Sequence, residues 1–189
     1  RIEDYLALHT ESIALLEEAT QIENCRFPGD LREGIDLLLP HLGKLRQSAR
    51  LLQLQSILDA HRGDYDLAAQ RCITILKLAR ALDNEPILIS ALVTISIEAL
   101  ACGQIEILVT SGHVSDEQLQ ALTAALQQAD VDRLILRAMV GERCFIHGIF
   151  QDSETLAGAF SFGGGSVNRA ALSVWRGTGL VDIDHSCAL

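Results

Sequence analysis

Between Ile87 and Thr110 the chain is apolar nearly all round, its polar interruptions being Ser and Thr residues, Glu98, Gln104 and Glu106. Asp83-Asn84-Glu85-Pro86 precedes this stretch with a helix-start signal, and Ser111-Gly112 follows it with a left-handed stop. A helix with no polar face has to be covered on all sides, so the expectation is a fold built around it. The segment is also long enough to cross a bilayer. Glu98 lies near its middle, however, where a charge costs about 2.5 to 3.5 kcal/mol on insertion. It is therefore read as a core helix and not as a membrane span.

The rest of the chain supplies partners for such a helix. Its 189 residues suffice for one domain, and 49% hydrophobic residues with only 4% aromatics favour helices over sheet. Ile2, Tyr5, Leu6, His9, Ile13 and Leu16 recur at helical spacing and predict one amphipathic helix. Phe27-Pro28-Gly29-Asp30 interrupts the backbone, and Asp30 is expected to cap a short helix ending near Leu39. Pro40 suits the first turn of a helix reaching about His61, and a second runs from near Asp66 to about Leu82. Ser115 and Gln118 form a capping box before another short helix, and Asp130 introduces one from about Val131 to Phe150.

The expected fold is all-α, with antiparallel helical hairpins stacked as a short superhelix or bundle over residues 1–152. Six of the fourteen glycines fall in residues 153–189, which read as a Gly-rich extension with one short helix from about Ser166 to Arg176, pinned by Trp175.

Twenty-five acidic against fifteen basic residues give a net charge of -10. That balance, with no basic stripe visible along the chain, argues against nucleic acid or an anionic membrane surface as partner. Thirteen of the fifteen basic residues are Arg, a bias that fits a GC-rich bacterial genome. The five cysteines are odd in number, and Cys72, Cys102 and Cys144 fall in predicted helices, which points to buried reduced thiols. The chain starts at Arg1 with no charged-then-apolar leader. A cytoplasmic domain is expected, or an extracytoplasmic one if a signal or anchor preceded Arg1.

Residues 49–82 resemble a tetratricopeptide repeat. Arg62-Gly63-Asp64-Tyr65-Asp66-Leu67-Ala68-Ala69 looks like that family's inter-helix turn and the start of its second helix, with Leu52 and Ser56 where the first helix packs. Gly63 stands at the turn glycine, Tyr65 at an aromatic position and Ala68 at a small one. Gln55, Asp59 and Cys72 depart from positions usually apolar or aromatic. The resemblance implies stacked helical hairpins and, by analogy, protein binding.

Several constellations carry possible chemistry. Cys144 and His147 share a helix face, and His185 with Cys187 would complete a zinc set, but the tail spacing is wrong for one and no metal is expected. Phe160-Ser161-Phe162-Gly163-Gly164-Gly165-Ser166 lacks the strand and the Lys of a phosphate loop, and no cofactor is expected. Glu98, Glu106 and Glu142 lie in apolar helices, where a desolvated carboxylate would be a candidate acid; pairing with Arg137 or Arg143 is the commoner fate. Glu98, Glu142 and His147 are the pocket candidates, while His9 and His61 read as packed or edge side chains. The leading expectation is a non-catalytic module for a protein partner with a basic surface. The alternatives are a small-molecule-binding or hydrolase-like domain with a buried carboxylate, and the soluble part of a membrane-anchored protein.

Overall fold

A computed structural model describes residues 2–22, 25–31, 33 and 37–151. The extension at 153–189, with its expected helix, Trp175, the Phe160–Ser166 loop, His185 and Cys187, lies outside the described residues. Every regular element among those described is helical: α1 Ile2–Ala7, α2 Thr10–Ala19, α3 Pro40–His61, α4 Tyr65–Ala79 followed by a 3-10 turn Arg80–Leu82, α5 Leu88–Ser111, α6 Asp116–Leu126 and α7 Val131–Gln151.

Local chemistry explains most boundaries. Pro40 begins α3, where its missing N–H leaves nothing unpaired. At the other end Gly63 adopts φ +90°, the Gly63 N–H donates to the Ala60 carbonyl and the Asp64 N–H to Asp59. That pair of bonds is a Schellman close, and it turns the chain back into α4. Gly112, at φ +69°, ends α5 in the same hand.

Ser115 caps α6 by accepting from the Gln118 N–H at 3.3 Å. The return half of the expected capping box is made differently, because the Asp66 carboxylate on α4 accepts the Ser115 N–H at 2.9 Å. A tertiary partner has displaced the local one. Asp130 caps α7 through Arg133 N–H at 2.9 Å.

The first predicted helix is two. Leu8 and His9 donate to Tyr5 and Leu6 in a tightened turn, and the Thr10 hydroxyl bonds back to the Ala7 carbonyl, which competes with a continuous helical ladder. Of its stripe, Leu6 and Ile13 are buried while Ile2 and Tyr5 are exposed. Asp30 accepts from the Glu33 N–H in a single turn, and Leu37–Leu39 lie outside any helix.

The main core joins α1 through α6. Leu52, Ser56 and Ala68 are fully buried where α3 meets α4, and the Ser56 hydroxyl donates to the Ala68 carbonyl at 2.9 Å. Tyr65 is half-buried and stacks on His113 with centroids 4.7 Å apart. The three positions that depart from the repeat pattern are polar for a reason. Gln55 donates to Asp59 at 2.7 Å, Arg71 bridges Asp59 to Glu17 on α2, and Cys72 lies 3.6 Å from the Ser56 oxygen. They tie α2 to the α3–α4 hairpin.

α7 packs elsewhere, on a separate small cluster of Ala91, Leu134 and Ala138. Gly141 fits against Pro86 so closely that a methyl there would overlap the Pro86 carbonyl.

The expectation that α5 is covered on all sides is corrected. Ala91, Thr94, Ile97, Ala101 and Leu108 face the core, but only 39% of the helix's most apolar window is buried. On the far side Ile89, Leu92 and Ile107 are 50%, 51% and 64% exposed. Composition demands neighbours but cannot supply them, and α3, α4 and α7 occupy only part of the circumference. By length and composition α5 could cross a membrane.

Burial of the thiols is corrected too. Cys72 is buried, with burial pushing its thiol up to about 11, whereas Cys102 and Cys144 are exposed and Cys25 is half-buried.

Candidate functional site

The carboxylates singled out from sequence do not converge. Glu98 is half-buried on α5, and its pKa is raised first by burial and then by the Asp83 charge, with Arg80 opposing. Glu142 on α7 accepts the Leu88 N–H at 2.9 Å, placing a negative charge on the N-terminus of α5, where the helix dipole favours it. Arg137, one expected partner for these acids, instead donates to the Asp83 carbonyl at 3.0 Å and to Asn84 Oδ1 at 2.5 Å. Arg143, Glu106, His61, Cys144 and His147 are exposed, and His9 is half-buried against Tyr5. Among the described residues no three His, Cys, Asp or Glu side chains gather as a metal site.

A different set of residues does converge. Between α2, the end of α4 and the first turns of α7 lies a cleft of about 880 Å³. Its charged lining is Arg26, Lys77, Arg80, Arg133 and Arg137 against Asp83 and Asp130. Five basic and two acidic groups invert the balance of the whole chain, which is fifteen to twenty-five. Asp83 is held up chiefly by burial, although Arg80, Arg137 and Arg133 all pull its carboxyl the other way.

The opposite wall is apolar, with Leu16, Ala19, Ile22, Phe27 and Leu45. Phe27 is fixed there by stacking on His41, with centroids 4.2 Å apart and planes within 6°. Burial, then the Glu85 charge, raises the Cys25 thiol in this wall above its usual range.

Apart from Arg137, expected only as a partner for carboxylates, these cations carry no grouping in the sequence, because they are scattered over more than a hundred positions. A signal was present: Lys77 and Arg80 are three apart and Arg133 and Arg137 four apart, so each pair shares a helix face. That the two faces oppose one another is a tertiary fact.

The third feature is the exposed side of α5. Ile89 and Leu92 stand at one end and Ile107 at the other, with Ser96, Ala99 and Gly103 between them. A methyl at Gly103 would meet nothing within 4 Å. The floor of the stripe is therefore low and open. Comparison with family models, with curated proteins and with solved structures finds no match to this chain.

Proposed function

We propose that this domain is a non-catalytic interaction module whose α5 docks a basic amphipathic helix of a partner protein. The observation that carries the reading is the exposed apolar stripe from Ile89 to Ile107. At 1.5 Å per residue its length is about 27 Å, the span of a helix of five turns. Large side chains at its ends and small ones in the middle suit ridge-into-groove packing of such a helix. A contiguous apolar face on a domain's surface is one mark of an interaction site.

Charge selects the occupant. α5 itself carries Glu98 and Glu106 and no Lys, Arg or His. Basic flanks on the incoming helix complement that surface. The resemblance of residues 49–82 to a protein-binding repeat family supports a binding role. With Leu52, Ser56 and Ala68 spent on the core, the docking face in this reading lies on α5 and not on the hairpin.

The test uses the full chain and a fluorescent 18-residue helical peptide with a Leu stripe flanked by Lys, beside a Glu-flanked counterpart. Saturable binding of the Lys peptide alone, weakened about tenfold or more by Leu92→Glu with Ile107→Glu, is expected. The reading fails if the variant binds equally well. It also fails if light scattering shows a dimer that the variant dissociates, or if a photocrosslinker at Leu92 captures residues 152–189 of its own chain.

A further inference from the structure

The cleft between α2, α4 and α7 has chemistry that docking on α5 does not use. Arg137 is committed to Asp83 and Asn84, so its role is to hold α7 against the turn that follows α4. The other four cations differ. Among the described residues no side-chain hydrogen bond or salt bridge is formed by Arg26, Lys77, Arg80 or Arg133, of which Arg26 and Arg133 are exposed, while the charges of Arg80 and Arg133 act on Asp83. Lining charges of five positive and two negative leave the cleft at about +3 in a chain whose net charge is -10.

Like charges set side by side repel, and packing alone gives no reason to gather a third of a chain's basic residues around one hollow. An anion in that hollow removes the repulsion. Guanidinium forks are suited to the paired oxygens of phosphate or carboxylate, and Arg80 and Arg133 supply two of them from different elements. The facing wall of Leu16, Ala19, Ile22 and Phe27 offers the same ligand apolar cover. At about 880 Å³ the cleft is within the size range of sites that enclose small organic molecules.

We infer that this cleft binds an amphipathic organic anion, its oxyanion head held by Lys77, Arg80 and Arg133 and its apolar body laid against α2 and Phe27. Such a ligand bridges α4 and α7 across the cleft. The site is independent of the α5 face, since none of the stripe residues lines it.

Titration calorimetry of the full chain with octyl phosphate tests this, with inorganic phosphate and octylammonium as controls. The expected result is one saturable site for octyl phosphate, at least about tenfold weaker for inorganic phosphate and undetectable for octylammonium. Lys77→Gln with Arg133→Gln should weaken binding about tenfold or more. Arg133→Lys should retain most of it, which separates loss of charge from loss of fold. Binding should survive Leu92→Glu with Ile107→Glu, which places it away from α5. Equal binding of octylammonium or of inorganic phosphate, indifference to the Lys77 and Arg133 changes, or loss in the α5 variant would each overturn the inference.

Discussion

Glu98 sits on the shoulder of α5, too deep to be fully hydrated and 15 positions along the chain from the Asp83 charge that also disfavours its ionisation. Its carboxyl is raised from the ordinary 4.5, with burial as the first cause. An acid whose folded-state pKa lies above its unfolded value contributes stability below the unfolded value and loses it as pH rises through the folded one. Glu98→Gln, which removes the charge and keeps the shape, should therefore melt above the parent at about pH 7, with the gap closing as pH falls through the raised folded-state value toward about 4.5. Thermal unfolding across that window measures it, and a variant less stable at neutral pH would mean that attraction to Arg80 outweighs burial. At this scale the sequence was partly legible. A carboxylate inside an apolar helix stands out, but that Asp83 and Arg80 are its neighbours depends on the turn after α4. Glu142 was read as a pocket candidate, and the N–H it accepts belongs to Leu88, 54 positions away.

Elements were more legible than side chains, because their ends are written locally. Pro40, Gly63, Gly112, Ser115 and Asp130 each act within a few residues of themselves, and each marks a boundary. Two readings went astray where the decisive neighbour was distant or absent. The apolar surround of α5 predicted full cover that its packing does not provide, and the stripe from Ile2 to Leu16 predicted one helix where a tightened turn makes two. The misfit positions Gln55 and Asp59 made the hairpin look degenerate, yet with Arg71 and Glu17 they form the polar tie between α2, α3 and α4. Removing one member leaves a mostly buried guanidinium half-paired, since the Arg71 side chain is only 14% exposed. Asp59→Ala should cost about 2 to 4 kcal/mol, and Asp59→Asn, which still accepts from Gln55, clearly less. Urea unfolding of the two variants checks the order, and equal costs would show that the charge on Asp59, and not its acceptance from Gln55, carries the whole tie.

Across the whole molecule stability is unevenly distributed. The core shared by α1 through α6 contains most of the buried side chains, while α7 rests on Ala91, Leu134 and Ala138 and on two polar clasps, Arg137 to the Asp83–Asn84 turn and Glu142 to the start of α5. A helix held by so small a cluster opens at lower free energy than the core it leans on. Native-state hydrogen exchange should show this as α7 amides exchanging faster than those of α3 and α4. Arg137→Ala removes two hydrogen bonds, about 1 to 2 kcal/mol in total, and should speed α7 exchange roughly five- to thirtyfold without altering α3 or α4. The basic wall of the cleft depends on this clasp, because Arg133 lies one turn from Arg137 on the same helix face. No reading of spacing alone could have placed that wall opposite Lys77, since only the docking of α7 on α5 brings the two helix faces together. If α3 and α4 lost protection along with α7, the helix would belong to one cooperative unit with the core, and the cleft would be a fixed groove and not one whose far wall can move.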